Sequence, residues 1–117
     1  MKKRILGVLL VAVFGTSAVF AKDFTAAQKS KVQQIVKDQL LDADSAKFTM
    51  PAYKGGTVYC GYVNSKNTYG GYAGNAIFQV FVASPTSFAF LGLGTADPEN
   101  SRSLALRQTC AENGYTI

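Results

Sequence analysis

Cys60 and Cys110 are the only cysteines of the 117-residue chain. A bond between them would close a loop of about 50 residues and remove denatured-state entropy worth roughly 4 kcal/mol in the chain-entropy model. That is comparable with the whole net stability of a small domain, so the pair constrains the fold more than any other feature. The alternatives are two buried free thiols and a redox-active pair, the latter at odds with a spacing unlike Cys-x-x-Cys. Compartment decides among them, because disulfides persist where the surroundings oxidise.

The first residues point to such a compartment. Lys2, Lys3 and Arg4 form a positive start, an apolar run extends from Ile5 to Phe14, and Val19-Phe20-Ala21 follows Gly15-Thr16-Ser17. This is the secretory pattern, with cleavage expected after Ala21. The apolar stretch is interrupted and shorter than the roughly 20 residues that span a bilayer. No cysteine stands at the cleavage point, which argues against a lipoprotein anchor. Residues 1–21 are therefore read as a signal peptide and 22–117 as a single mature domain. The product is expected to be soluble, periplasmic or secreted, and in contact with a membrane only during export.

Removing that segment changes the charge. Three of the 12 basic residues lie in it, leaving nine against seven acidic, a net charge of +2. The nine are scattered, so no cluster tracks a phosphate backbone and no nucleic-acid partner is expected.

Thr25 and Gln28 form a capping box at the start of a helix expected over 25–41, with Val32, Ile35, Val36 and Leu40 at helical spacing. Asp42 to Phe48 reads as a turn, after which Phe48 and Met50 dip into the core. Strands are expected over Thr57–Asn64, Ala76–Ala83 and Ser87–Leu93. Asp97-Pro98-Glu99 has the composition of a helix start, and Gly114 of a helix end. The expected fold is α+β, an α-β-β-β-α domain. Its three-stranded antiparallel sheet carries both helices on one face, and one disulfide joins the first strand to the last helix. Strict alternation would leave Tyr59, Val63, Ile77 and Phe81 opposite the disulfide, on a face either free for a partner or covered by residues 43–56 or the loop after the first strand.

The segment Asp44-Ser45-Ala46-Lys47-Phe48, followed by Cys60-Gly61-Tyr62-Val63-Asn64-Ser65-Lys66-Asn67 and Gly70-Gly71-Tyr72-Ala73-Gly74, resembles a group of small exported bacterial and prophage proteins. The resemblance covers about residues 40–82. Ala43 and Tyr59 depart from it, standing where the group commonly has Pro and Val. It implies export and a shared fold, and many of its members have no assigned activity, so it carries no catalytic residues.

The loop from Asn64 to Gly74, with three glycines and two tyrosines, is the most unusual stretch. Asn64, Lys66, Asn67, Tyr69 and Tyr72 are the candidate binding residues, Lys66, Tyr69 and Tyr72 for contact and the two asparagines for holding the loop. The same composition also suits a demanding turn with tyrosines packed at a sheet edge. Asp42 and Asp44 lack the further oxygens of a calcium loop. With no histidine in the chain, imidazole triads and most zinc sites are excluded, and no metal, cofactor or catalytic residue is expected. The reading is a non-enzymatic binding module of the cell envelope, directed at an envelope protein or surface polymer. A sharper form makes it an inhibitor or exclusion factor. The alternatives are a self-associating envelope subunit, hence a homodimer, and a small carboxylate hydrolase.

Overall fold

The computed structural model describes residues 22–117; the expected signal peptide lies outside the described residues. Helix α1 spans Ala26–Lys37 and starts at the expected capping box: Thr25 Oγ1 accepts from the Gln28 amide at 3.1 Å, and Gln28 Oε1 accepts from the Thr25 amide at 2.7 Å. It stops short of residue 41. The Gln39 and Leu40 amides bond back to Val36 and Lys37, three residues away, so the last turn tightens and the α-helix ends.

The sheet has four strands where three were expected. They are β1 (Lys47–Thr49), β2 (Val58–Asn64), β3 (Ala76–Ser84) and β4 (Ser87–Leu93), in the order β1-β2-β3-β4, with each pair antiparallel. The added strand is the segment expected only to dip into the core. Phe48 stands opposite Val63 and packs its ring edge-on to Phe78 at 5.9 Å, while Lys47 and Thr49 face out.

Register decides what each face carries. Tyr59 pairs with Val80 and Val63 with Ala76, which places them on one face with Phe78 and Val82. Cys60 pairs with Gln79, Tyr62 with Ile77 and Val58 with Phe81, so Ile77 and Phe81 share the disulfide face rather than opposing it. Of the two alternatives for the Tyr59 face, it is the covered one that holds. Tyr59 and Val63 are buried with Val32 and Val36 of α1, and Phe24, just before that helix, packs against Tyr59 and Phe88.

Helix α2 (Ser101–Glu112) covers the other face. A Cβ on Gly92 would meet Leu106 Cδ2 at 2.8 Å, and one on Gly94 would meet Ser103 Oγ at 2.7 Å. Cys110 is bonded to Cys60, with Cα atoms 6.0 Å apart and both residues fully buried. The helices therefore lie on opposite faces, correcting the one-face expectation. The disulfide commits α2 to the Cys60 side, and the large ring of Tyr59 gives α1 an apolar floor on the other. Helix α2 also begins later than its Asp97-Pro98 signal. Asn100 is its cap, accepting from the Arg102 and Ser103 amides, whereas Asp97 closes a turn onto Glu99. Gly114 ends it with φ +94°, as its composition suggests.

Candidate functional site

The loop between β2 and β3 is an ordered hairpin extension, closed by an antiparallel bridge between Lys66 and Tyr72. Two asparagines hold it. Asn67 Oδ1 accepts from the Tyr69 amide at 2.9 Å and the Gly71 amide at 3.3 Å, an Asx turn that folds the tip. Asn64 Oδ1 accepts from the Gly74 amide at 3.0 Å, closing the base. Gly70, at φ +83°, supplies the left-handed residue the tip requires.

The hairpin docks onto the segment leading into β1. The Lys66 amide donates to Ser45 Oγ at 2.8 Å, and the Tyr72 hydroxyl donates to the Ser45 carbonyl at 3.0 Å. Over the Tyr72 ring stand two ammonium groups, Lys47 Nζ at 4.4 Å from the centroid and Lys66 Nζ at 5.7 Å. Such cation–π contacts are worth about 0.5–1 kcal/mol at exposed sites. Among the described residues the one ion pair is Lys29–Asp23, so neither lysine has a carboxylate within bonding range. Beyond this cluster Tyr69 projects with 94% of its surface exposed, on a backbone pinned at both ends.

The five candidate residues thus divide. Asn64 and Asn67 build the loop, Tyr72 and Lys66 form a basic–aromatic surface packed on the β1 side, and Tyr69 points outward. Lys47 was missed. Its signal was the alternation Lys47-Phe48-Thr49-Met50, but a three-residue strand is too short for alternation to separate it from a loop.

Comparison with known proteins finds no match. No family model, no curated protein and no solved structure is similar to the chain.

A cleft of about 770 Å³ lies between the N-terminal segment, residues 53–57 and the β3–β4 turn. It contains one carboxylate, Asp23, which is already engaged. The Tyr53 amide at 3.0 Å is the main cause of its lowered pKa, helped by the Phe24 amide and Lys29 and opposed by partial burial. Phe24 and Tyr53, stacked at 4.4 Å, line it, and in the core beyond them Tyr59 meets Tyr115 edge-on at 5.6 Å. Burial, foremost, together with nearby acidic groups, pushes the phenols of Tyr59 and Tyr115 up from their ordinary value, although the Lys54 amide bonded to Tyr115 pulls the other way. A single hydrogen-bonded carboxylate and two neutral phenols make a packed aromatic layer, with no general acid–base couple between them. Among the described residues no group of acidic or cysteine side chains has the geometry of a metal site, and no helix is long and apolar enough to cross a membrane.

Proposed function

We propose that this chain is an exported, non-enzymatic binding module of the bacterial envelope, and that it engages an envelope protein or surface polymer through the hairpin of residues 64–74. The observation that carries the reading is the state of Tyr69. A nearly fully exposed ring adds little to the fold, yet its amide is held by Asn67 Oδ1, and the Gly71 and Gly74 amides of the same loop are held by Asn67 and Asn64. Order without burial is the property of a presented contact, because the entropy of arranging the loop is spent before binding. Lys47 and Lys66, in no ion pair among the described residues, favour an anionic surface around the ring. A rigid protruding loop with one aromatic anchor also suits a concave pocket, which supports the narrower role of an inhibitor or exclusion factor. Burial of a disulfide supports export.

The test uses the oxidised mature protein against three defined fractions: peptidoglycan sacculi, lipopolysaccharide, and solubilised envelope proteins. Tyr69→Ala and Lys66→Ala should each weaken binding to one of them while leaving the unfolding midpoint in place. Binding unchanged in the double variant would remove the hairpin from the interface.

A further inference from the structure

The two edges of the sheet differ. At one side β1 is three residues long, carries Lys47 and is followed by Pro51, the features that blunt an edge. At the other side β4 runs seven residues, Ser-Phe-Ala-Phe-Leu-Gly-Leu, without a charge or a proline. Its backbone groups can be followed from the ladder. The Val82 amide donates to the Thr57 carbonyl at 2.7 Å, so Val82 and Val80 turn their polar groups toward β2. Val82 pairs with Phe88 and Val80 with Phe90, and therefore Phe88 and Phe90 direct their N–H and C=O groups outward from β4. No side chain among the described residues bonds to them. A cleft of about 500 Å³ lies along this edge between Gln39 beyond α1, Phe90 to Gly94, and Arg102 and Leu106 of α2. A second, of about 400 Å³, lies between α1 and residues 86–88. Leu91, at the register shift between Gln79 and Val80, is 48% exposed beside the first.

We infer that β4 is a self-association edge, where a second copy of this chain adds its own β4 antiparallel to form a continuous eight-stranded sheet. The occupant is indicated by self-complementarity. A two-fold axis perpendicular to the sheet at Ala89 sets Phe88 opposite Phe90 of the second copy, so the outward N–H and C=O groups of each meet those of the other. The same axis places the exposed Leu91 opposite Ser87. It also brings the two α1 helices side by side and antiparallel on one face. The residues of α1 that line the cleft beside β4 are Lys31, Gln34 and Ile35, and Asp38 lies one turn further on, bonded to Gln34 at 2.9 Å. An axis passing between Gln34 and Ile35 puts Lys31 opposite Asp38 of the second copy, twice by symmetry. Neither is in an ion pair among the described residues, and Lys31 Nζ, which donates to the Thr86 carbonyl at 3.1 Å, has further protons to give. A foreign acidic peptide would meet Lys31 and Arg102 but also Asp38; a second copy matches both signs. The hairpin of residues 64–74 lies away from this edge, packed against the β1 side, so a dimer would present two hairpins at once, which raises avidity for a repetitive envelope target.

The experiment is sedimentation velocity on the oxidised mature protein from micromolar to millimolar concentration, with amide exchange followed over the same range. Wild type should form a dimer, and the Phe88 and Phe90 amides should gain protection as it does. Asp38→Lys, a change that the C-terminal end of a helix accommodates, turns both attractions into repulsions and should raise the dissociation constant about tenfold. Adding Lys31→Asp to that variant should restore the dimer. A chain that stays monomeric throughout overturns the inference. So does a dimer that ignores the charge swap, or one in which these two amides gain no protection. If the monomer's edge is instead ordered by an added extended peptide, the edge serves a foreign strand and the homodimer is wrong. Tyr69→Ala should leave self-association unchanged, so the hairpin reading and the β4 reading fail independently.

Discussion

Reduction of the Cys60–Cys110 bond should be the most destabilising single chemical change available to this protein. The bond joins the second strand to the last helix across 50 residues of chain, and releasing it returns to the unfolded ensemble an entropy worth about 4 kcal/mol at room temperature. For a domain of this size each kcal/mol shifts the melting midpoint by roughly 4–8 °C, so the reduced protein should melt about 20 °C lower. Both sulfurs are fully buried, under α2 and beside Gln79, whose amide points at Cys110 Sγ from 3.4 Å. Reductant therefore acts through opened molecules, and reduction should be slow in buffer and fast in mild denaturant. The assay is urea unfolding of oxidised and fully reduced wild-type protein at equal concentration, with thiols counted before and after. Reduced wild type is the cleaner comparison, because Cys60→Ala with Cys110→Ala also strips Gln79 of its sulfur contacts. A loss of stability below about 1 kcal/mol would refute the cross-link reasoning. It would mean that packing of α2 through Leu106 and Ser103 holds the helix in place without the bond.

The remaining tests address the core, the phenols and the hairpin. Gly61→Ala would place a Cβ 2.6 Å from Phe78 Cζ and 2.7 Å from the Thr49 carbonyl oxygen, and since that oxygen is backbone the unfolding free energy from urea titration should fall by about 1–3 kcal/mol. The Tyr59 phenol has a folded pKa raised above its ordinary value of 10.0, so its contribution is complete below pH 10 and is lost as pH rises past it, because only the unfolded chain then releases the proton. Stability measured from pH 8 to 11 should therefore drop at the alkaline end in wild type and less in Tyr59→Phe, which itself forgoes a 2.6 Å bond to the Pro51 carbonyl and about 1 kcal/mol. Asn67→Ala should keep the core transition but speed exchange of the Tyr69 and Gly71 amides that it holds; unaltered exchange would mean the tip is fixed by something else. Tyr69→Ala should change stability by less than about 0.5 kcal/mol, as befits an exposed side chain.

Local signals were legible in the chain wherever a residue's partner is close in sequence. The Thr25–Gln28 capping box, the apolar spacing of Val32 and Val36, the three longer strands and the left-handed Gly114 all depend on neighbours within a few positions. The cysteine pairing was also legible, since two cysteines admit a single intramolecular bond. The sequence alone likewise pointed to Asn64 and Asn67 as the residues that hold the hairpin. Tertiary structure decided what depends on partners far away. Lys47–Thr49 is a strand because Asn64 to Tyr62 lie beside it, not because three residues favour extension. Asn100 displaced Asp97 as the cap of α2 because Ser103 seats against Gly94. Alternation along β3 was visible, but which of its faces joins Cys60 depends on the pairing of Tyr62 with Ile77, and a slip of one residue exchanges every side chain between faces. That register put the helices on opposite faces of the sheet, closed the face whose cover the alternation left open, and left β4 as its longest open edge.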